Sequence, residues 1–319
     1  TVTVDISGLA LSSAFDVYVR QVCGPGLASD WTAPEGFESA CDVISAFPYV
    51  QDFDGMANET DGVACPGVDN VSLCWDNSVT NNNMWTSNSG ETGSSNTGPD
   101  ADHTGNGGNY LFVEASGGCS NDTAHLYSPE FDVTSLTTPT LLFYYHMLGS
   151  DQGSLSIQVS TDGGATWPDT IFSVTGDQGS SWIPALLELP AYSGSSSLMF
   201  RYTAETGTSF ESDIAIDDVW VGEAPTCPFP QNVEVTDASA FAATIEFTNG
   251  FIGGSYYVEY GLSGFSQGSG TIESNAISAD PTIINLTGLT SATDYEFYIW
   301  QECSLTDSSL VIAVSYTHL

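Results

Sequence analysis

The run over residues 141–167, LLFYYHMLGSDQGSLSIQVSTDGGATW, constrains the fold most strongly. Its apolar and aromatic opening is too short to span a membrane and too aromatic to favour a helix. Gly149, Ser150 and Asp151 then mark a turn, after which Leu155, Ile157 and Val159 alternate with polar residues. Alternation of that period places every second side chain on one face, so the run reads as strand, turn, strand of an antiparallel sheet. Asp162-Gly163-Gly164 makes a further turn before Trp167. Residues 110–114, 124–126, 198–202 and 214–221 repeat this grammar, and no segment of useful length has helical periodicity. The expectation is an all-β protein with a jelly-roll β-sandwich over residues 42–225.

Charge narrows the partners. The chain of 319 residues carries 40 Asp plus Glu against 2 basic residues, Arg20 and Arg201, for a net charge of −38. Nucleic acids and acidic membrane surfaces are themselves polyanions, so both are excluded as natural partners. A saline or cation-rich medium would screen or bind the carboxylates, and uncharged sugars are compatible with them. No run is long and apolar enough for membrane insertion as a helix. The seven cysteines stand singly and the four histidines have no zinc-site spacing, so disulfides in an oxidising compartment are expected. Cys23 can pair with Cys41 across neighbouring strands.

The chain repeats itself. Residues 6–23 (ISGLALSSAFDVYVRQVC) align without gaps on residues 286–303 (LTGLTSATDYEFYIWQEC), so that Gly8 meets Gly288, Leu9 meets Leu289, Tyr18 meets Tyr298 and Cys23 meets Cys303. The Leu-x-x-Leu turn before Tyr295 resembles the tyrosine corner of a fibronectin type III sandwich, with Phe15 at the Tyr position of the first copy. On that resemblance, residues 1–41 are the C-terminal part of one such domain, and residues 226–313 are a second that lacks its last strand. The final letters, VSYTHL over 314–319, coincide with a translated transposon end used to tag sequencing libraries, the alternative being an ordinary strand. The natural protein is therefore expected to extend past both ends.

The middle region resembles the MAM domain, an adhesion module of cell-surface proteins. The resemblance rests on Asp52-Phe53-Asp54, Cys74-Trp75, Asp102-His103-Thr104, the strand at Tyr110-Leu111 and Ser128-Pro129. It continues through Phe143-Tyr144-Tyr145-His146-Met147 with Gly149, then Trp182 and residues 213–218 (DIAIDD). Thr140 and Leu141 stand where that family usually has a cysteine, and Asp54 replaces its usual Glu. In this setting Cys65 is expected to pair with Cys74, with Cys119, Cys227 and Cys303 left unassigned.

Two constellations bear on chemistry. Residues 160–167 (STDGGATW) fit the Asp-box pattern of sialidase-like propellers. Such propellers need one copy per blade and an arginine cluster, so the single copy here is expected to be a hairpin turn, with Asp162 capping it and Trp167 packed beneath. The second constellation is acidic: Asp52 and Asp54 near the first strand, Asp102 in a polar loop, and Asp217 and Asp218 in the last strand. First and last strands of a sandwich commonly lie side by side, so these five oxygen donors can converge as a structural calcium site, as in jelly-roll carbohydrate-binding modules, which the region resembles more distantly. Nucleophile elbows, HExxH and phosphate loops are missing, and His146 reads as a packed strand residue.

The expected function is non-catalytic: an adhesion or ligand-binding segment of a large extracellular or surface-anchored multidomain protein, bacterial and from a saline habitat. Its partner would be a cell-surface protein or glycan, with fibronectin-like repeats as spacers. The competing expectation is an accessory region, carbohydrate-binding or not, of a secreted protease or glycosidase whose catalytic domain lies outside the fragment.

Overall fold

The computed structural model describes residues 14–25, 27–38, 41–57, 69–71, 74–78, 80–105, 107–249, 254–277, 279–304 and 306–317. The chain forms two compact units, one of Thr1–Ser180 with Ala185–Gly222 and one of Ser181–Pro184 with Glu223–Leu319.

The first unit begins with two small antiparallel pairs, β1 (Ala14–Val17) with β4 (Glu35–Glu38) and β2 (Val22–Gly24) with β3 (Leu27–Ala28). The main sandwich is built from β5 (Tyr49–Gln51), β6 (Asp76–Asn77), β7 (Thr86–Asn88), β8 (Tyr110–Val113), β9 (Thr123–Tyr127) and β10 (Pro139–Met147). It continues with β11 (Ser154–Ser160), β12 (Asp169–Thr175), β13 (Gly179–Glu188), β14 (Met199–Glu205) and β15 (Ile214–Glu223). One sheet runs β13-β10-β15-β8-β7 with β5 added to β15, and the other runs β12-β11-β14-β9-β6. The jelly-roll β-sandwich is thus present.

Alternation holds where a strand has one wet face. Leu155, Ile157 and Val159 of β11 point inward, with Ser154, Ser156 and Gln158 outside. It fails in β8, whose four residues are all buried. A polar loop over residues 89–109 covers that strand's outer side, tied down by Thr92 Oγ1 donating to Asp213 Oδ2 (2.7 Å). Between the sheets Phe143 meets Phe172 and Tyr202 edge-on, with ring centroids 5.4 and 5.5 Å apart. Truncating such a ring to Ala costs about 3–5 kcal/mol. His146 is buried at 1% exposure in β10, as its place in an apolar run predicts.

Low apolar density over residues 77–109 predicts loops alone, yet β7 and the end of β6 lie there. Amide side chains supplement the short ladders of β6 with β9 and β7 with β8: Asn77 donates from Nδ2 to the Trp85 carbonyl and accepts from the Trp85 N–H on Oδ1, both at 2.9 Å. Asn83 Nδ2 donates in the same way to the Glu114 carbonyl (2.8 Å).

The second unit is a smaller sandwich. One sheet holds β16 (Gln231–Ser239), β17 (Ala242–Thr248) and β20 (Thr282–Thr287). The other has β18 (Ser255–Leu262), β19 (Thr271–Ala276), β21 (Asp294–Ser304) and β22 (Asp307–Ser308), with β23 (Ile312–Thr317) on β21. Ile245, Phe247, Val258, Ile284, Phe297 and Ile299 fill its core. The corner hydrogen bond expected at Tyr295 is formed, with the Thr290 N–H donating to the Tyr295 hydroxyl (3.0 Å).

Two expectations are corrected. The second sandwich does not lack its last strand, because β23 pairs antiparallel with β21 from Asp294↔Thr317 to Ile299↔Ile312. Residues Ile312–Thr317 form that strand. The disulfides also differ from Cys23–Cys41 and Cys65–Cys74. Cys41 bonds Cys74, with their Cα atoms 5.7 Å apart, leaving Cys23 free and exposed. Cys65 lies outside the described residues, and Cys119 is disulfide-bonded. Sequence proximity misled here: the chain before β5 runs beside the turn at Cys74, which has a left-handed φ of 69°. Cys227 bonds Cys303 across 76 residues.

Candidate functional site

The last strand of the main sandwich changes neighbours midway. Residues Ile214, Ala215 and Ile216 of β15 pair with β8, and Val219, Trp220 and Val221 pair with β5. First and last strands do lie side by side. Asp217 and Asp218 fall at the changeover, where Asp218 takes a φ of 46°, an unusual left-handed conformation for a non-glycine residue. The kink sets the two carboxylates apart: Asp217 is buried at 2% exposure, while Asp218 reaches a half-exposed position.

The loop before β8 closes over them. The His103 N–H donates to Asp217 Oδ2 (2.9 Å), and the Asp218 N–H donates to Asp217 Oδ1 (2.8 Å). His103 Nδ1 lies 2.6 Å from Asp218 Oδ2, and its ring stacks on Tyr144, with centroids 3.5 Å apart and planes 20° apart. Asp102 is buried and accepts from the Gly107 N–H (3.1 Å) and the Thr104 hydroxyl. From the β5 side, Asp54 Oδ1 accepts from the Asn109 N–H (2.8 Å). A Cβ on Gly108 would stand 2.0 Å from that oxygen, so the approach requires glycine. Asp52 is exposed and receives the Asp54 N–H on its Oδ1 (3.2 Å).

The charge balance is poor for a buried place. Burial pushes the Asp217 carboxyl up to about 8 against the pull of the His103 N–H, with Asp218 and Asp102 adding repulsion. Burial, helped by Asp218, likewise raises the Tyr144 phenol to about 12. Nearby, Asp213 is buried beside Glu114 and is also raised to about 8, despite accepting from Thr92 and from the Ala115 N–H (3.0 Å).

Of the five expected ligands, Asp102, Asp217 and Asp218 share one neighbourhood, Asp54 is anchored to its rim, and Asp52 faces outward. Their hard oxygen donors suit calcium chemically. Among the described residues, however, no three His, Cys, Asp or Glu side chains converge into a group that could hold a metal ion. Hydrogen bonds from backbone N–H groups occupy both oxygens of Asp217 instead. Sequence reasoning overlooked His103, which lies against Asp218 rather than standing isolated. The Asp-His-Thr triplet was its visible signal.

The Asp-box segment is the hairpin turn expected. Asp162 accepts from the Thr166 hydroxyl (2.7 Å), the Thr166 N–H (2.9 Å) and the Ser160 hydroxyl (2.7 Å). Those donors, the Thr166 hydroxyl foremost, hold its carboxyl down to about 2. Trp167 lies 5.5 Å from the Tyr127 ring, with the Arg201 guanidinium 5.1 Å from its centroid.

That turn borders an open groove of about 640 Å³, lined by Trp75, Tyr127, Trp167, Asp42, Asp76 and Glu130, with the Cys41–Cys74 disulfide in its wall. Its size lies within the range of ligand pockets. Burial, with Asp69 adding repulsion, raises the Asp76 carboxyl. Cys74-Trp75 and the Asp-box turn each mark part of the groove, but no spacing in the sequence joins them, because its residues converge from segments far apart in the chain.

Comparison with known proteins adds a family. Residues 62–228 match the model for the MAM domain, meprin/A5/mu, which is just over half the chain. MAM domain-containing protein 2 of Mus musculus is 35% identical over 155 residues, covering 48% of this chain and 22% of its own. MAM domain-containing glycosylphosphatidylinositol anchor protein 1 of Gallus gallus is 35% identical over 144 residues, covering 44% of this chain and 15% of its own. Neuropilin-1a of Danio rerio is 32% identical over 138 residues, covering 42% and 14%. The chain thus spans about a fifth or less of the length of these relatives.

Proposed function

We propose, since this chain belongs to the MAM domain family, that its main sandwich is a non-catalytic adhesion or ligand-binding module of an extracellular or surface-anchored protein. The observation that carries this reading is the aromatic and acidic groove beside the Asp162 turn. Its rings offer flat apolar contact and its carboxylates accept hydrogen bonds, a combination suited to a segment of a cell-surface protein or a glycan. Disulfides within both sandwiches favour an oxidising, extracellular setting. The second sandwich, with its Tyr295 corner, serves in this reading as a fibronectin-like spacer.

Beads coated with the chain test the reading on cells. Saturable attachment that is lost after protease or glycosidase treatment of the cells supports it and separates protein from glycan ligands. Turnover of peptide or glycoside substrates by the chain itself would sink the non-catalytic part.

Calcium belongs to the same proposal as a structural ion toward which Asp52, Asp54, Asp102, Asp217 and Asp218 would have to draw together, since among the described residues no three such side chains converge. Its support is the shared neighbourhood of Asp102, Asp217 and Asp218, whose oxygens are the hard donors that calcium takes. The measurement is thermal melting with calcium and with EDTA, and an unchanged midpoint removes the ion from the account.

A further inference from the structure

One row of side chains crosses four strands and ends in the groove. Asp76 of β6 pairs with Tyr127 of β9, Tyr127 with Arg201 of β14, and Arg201 with Gln158 of β11. Directly paired residues of antiparallel strands share a face of the sheet, so the four side chains stand in line. Arg201, one of the chain's two basic residues, is held in this row by a ring and an amide rather than by a carboxylate. Its Nε donates to Gln158 Oε1 (3.0 Å), and its guanidinium lies 5.1 Å from the Trp167 ring centroid. The other basic residue, Arg20, is also placed over a ring, with its guanidinium 4.4 Å from the centroid of Trp31. Both cations of the chain rest on tryptophan.

At the Asp76 end of the row the balance reverses. Asp42, Asp76 and Glu130 line the groove together with Tyr127 and Trp167, and neither arginine does. Arg201 stands two strand spacings, roughly 10 Å, from Asp76 along the row, and its head is turned to Trp167 and Gln158. Burial and the neighbouring Asp69 raise the Asp76 carboxyl, whereas a cation against it would lower it. The rings are fixed before any ligand arrives. Trp167 lies 5.5 Å from Tyr127, and a Cβ on Gly164 would already touch its ring at 3.6 Å. The groove thus offers ordered aromatic faces beside carboxylates, with the chain's own cations placed elsewhere.

Given the reading of this groove as the binding site, we propose that it takes a basic side chain, lysine or arginine, projecting from a protein partner. The charged head lies against Asp76 and Glu130, and the stem lies on Tyr127 and Trp167. Charge complementarity selects this occupant. A cation is attracted to the face of Tyr or Trp, as Arg201 is to Trp167, and carboxylates beside those rings add direct pairing. Lysine and arginine also bury their apolar stems while the head stays in water, which suits an open groove. A neutral sugar stacks on the same rings but leaves the repulsion between Asp69 and Asp76 unrelieved. The net charge of −38 draws cationic partners from a distance and does nothing for a neutral one.

The test titrates the intact chain with labelled glycine-serine peptides carrying arginine or lysine. Their neutral counterparts carry citrulline or acetyl-lysine, and chitohexaose serves as an uncharged glycan. A basic peptide is expected to bind at least about tenfold more tightly than its neutral counterpart or the sugar, with a preference that shrinks as salt is added. Asp76→Asn/Glu130→Gln should weaken that binding at least about tenfold, with an unchanged melting midpoint. Glu234→Gln/Glu273→Gln removes the same charge from exposed positions of the second unit and should change it by no more than about twofold. Equal loss in the two variants would mean attraction by net charge alone and would overturn the proposal. Failure of both basic peptides to bind, equal binding of charged and neutral peptides, or binding of the sugar alone would overturn it too. Cell attachment judges the groove itself: attachment lost in Trp167→Ala/Glu130→Gln and removed by glycosidase keeps the groove as the binding site while ruling out the basic side chain.

Discussion

The strand pair β2–β3 and the strand pair β21–β22 share a hydrogen-bond pattern, yet Val19, just before the first, is 58% exposed where its counterpart Ile299 is 0% exposed. The contrast separates two causes that usually act together. Ladder geometry is written locally, in the turn and in serines such as Ser29 and Ser309 that receive a neighbouring N–H. Burial is not, because it needs a second sheet supplied from elsewhere. Most of the stabilisation in a sandwich comes from that second source. The two copies should therefore respond very differently to the same substitution.

The largest contrast should come from the core. Phe297→Ala is expected to cost the second sandwich about 3–5 kcal/mol in denaturant titrations, while Val17→Ala changes stability by well under 1 kcal/mol. Equal effects at the two sites would mean that β1 is already covered. Next comes the cysteine pair. Cys227→Ser opens a closure of 76 residues and should cost about 2–4 kcal/mol, against no more than about 0.5 kcal/mol for Cys23→Ser in this chain. The smallest local contrast is at the corner, where Tyr295→Phe removes the acceptor of the Thr290 N–H for about 1 kcal/mol. Phe15→Tyr in the first copy should gain nothing measurable.

The main sandwich adds a pH test that sharpens the comparison between domains. Asp213, raised to about 8, keeps its proton in the folded state where the unfolded chain has lost it, so its contribution falls as pH rises from about 4 to about 8. His146, lowered to about 4 by burial, acts in the opposite sense, and stability is lost as pH falls from about 6.5 to about 4. The two offset each other in the acid range, and above it Asp213 acts together with Asp217, whose carboxyl is raised to about 8 as well. In EDTA, the melting midpoint of the first unit should fall between pH 6.5 and 8, and Asp213→Asn should reduce that slope, with Asp217 carrying the remainder. A midpoint that rises over this window would contradict the assignment.

Much of the fold was legible in sequence because period-two alternation and turn residues are local signals. The β10 to β12 region and the Asp162 turn followed from them, and the repeat from a gapless alignment of residues 6–23 on residues 286–303. So did the neighbourhood of Asp102, Asp217 and Asp218, once β5 and β15 were expected side by side. What escaped depends on tertiary convergence. Cys41 bonds Cys74 because the chain before β5 returns beside β6, and His103 stacks on Tyr144 because a long polar loop folds over the outer sheet face. The groove is the extreme case, since Asp42, Trp75, Tyr127 and Trp167 come from four distant segments. No spacing rule joins them.

The central claim is that the main sandwich binds a surface ligand through that groove. The most direct measurement is ligand attachment by the parent chain and by a Trp167→Ala/Glu130→Gln variant, each checked for an unchanged melting midpoint. The account predicts at least about a tenfold loss of affinity in the variant, on the scale of a lost aromatic anchor. Attachment of equal strength by both, with the fold intact, would contradict it.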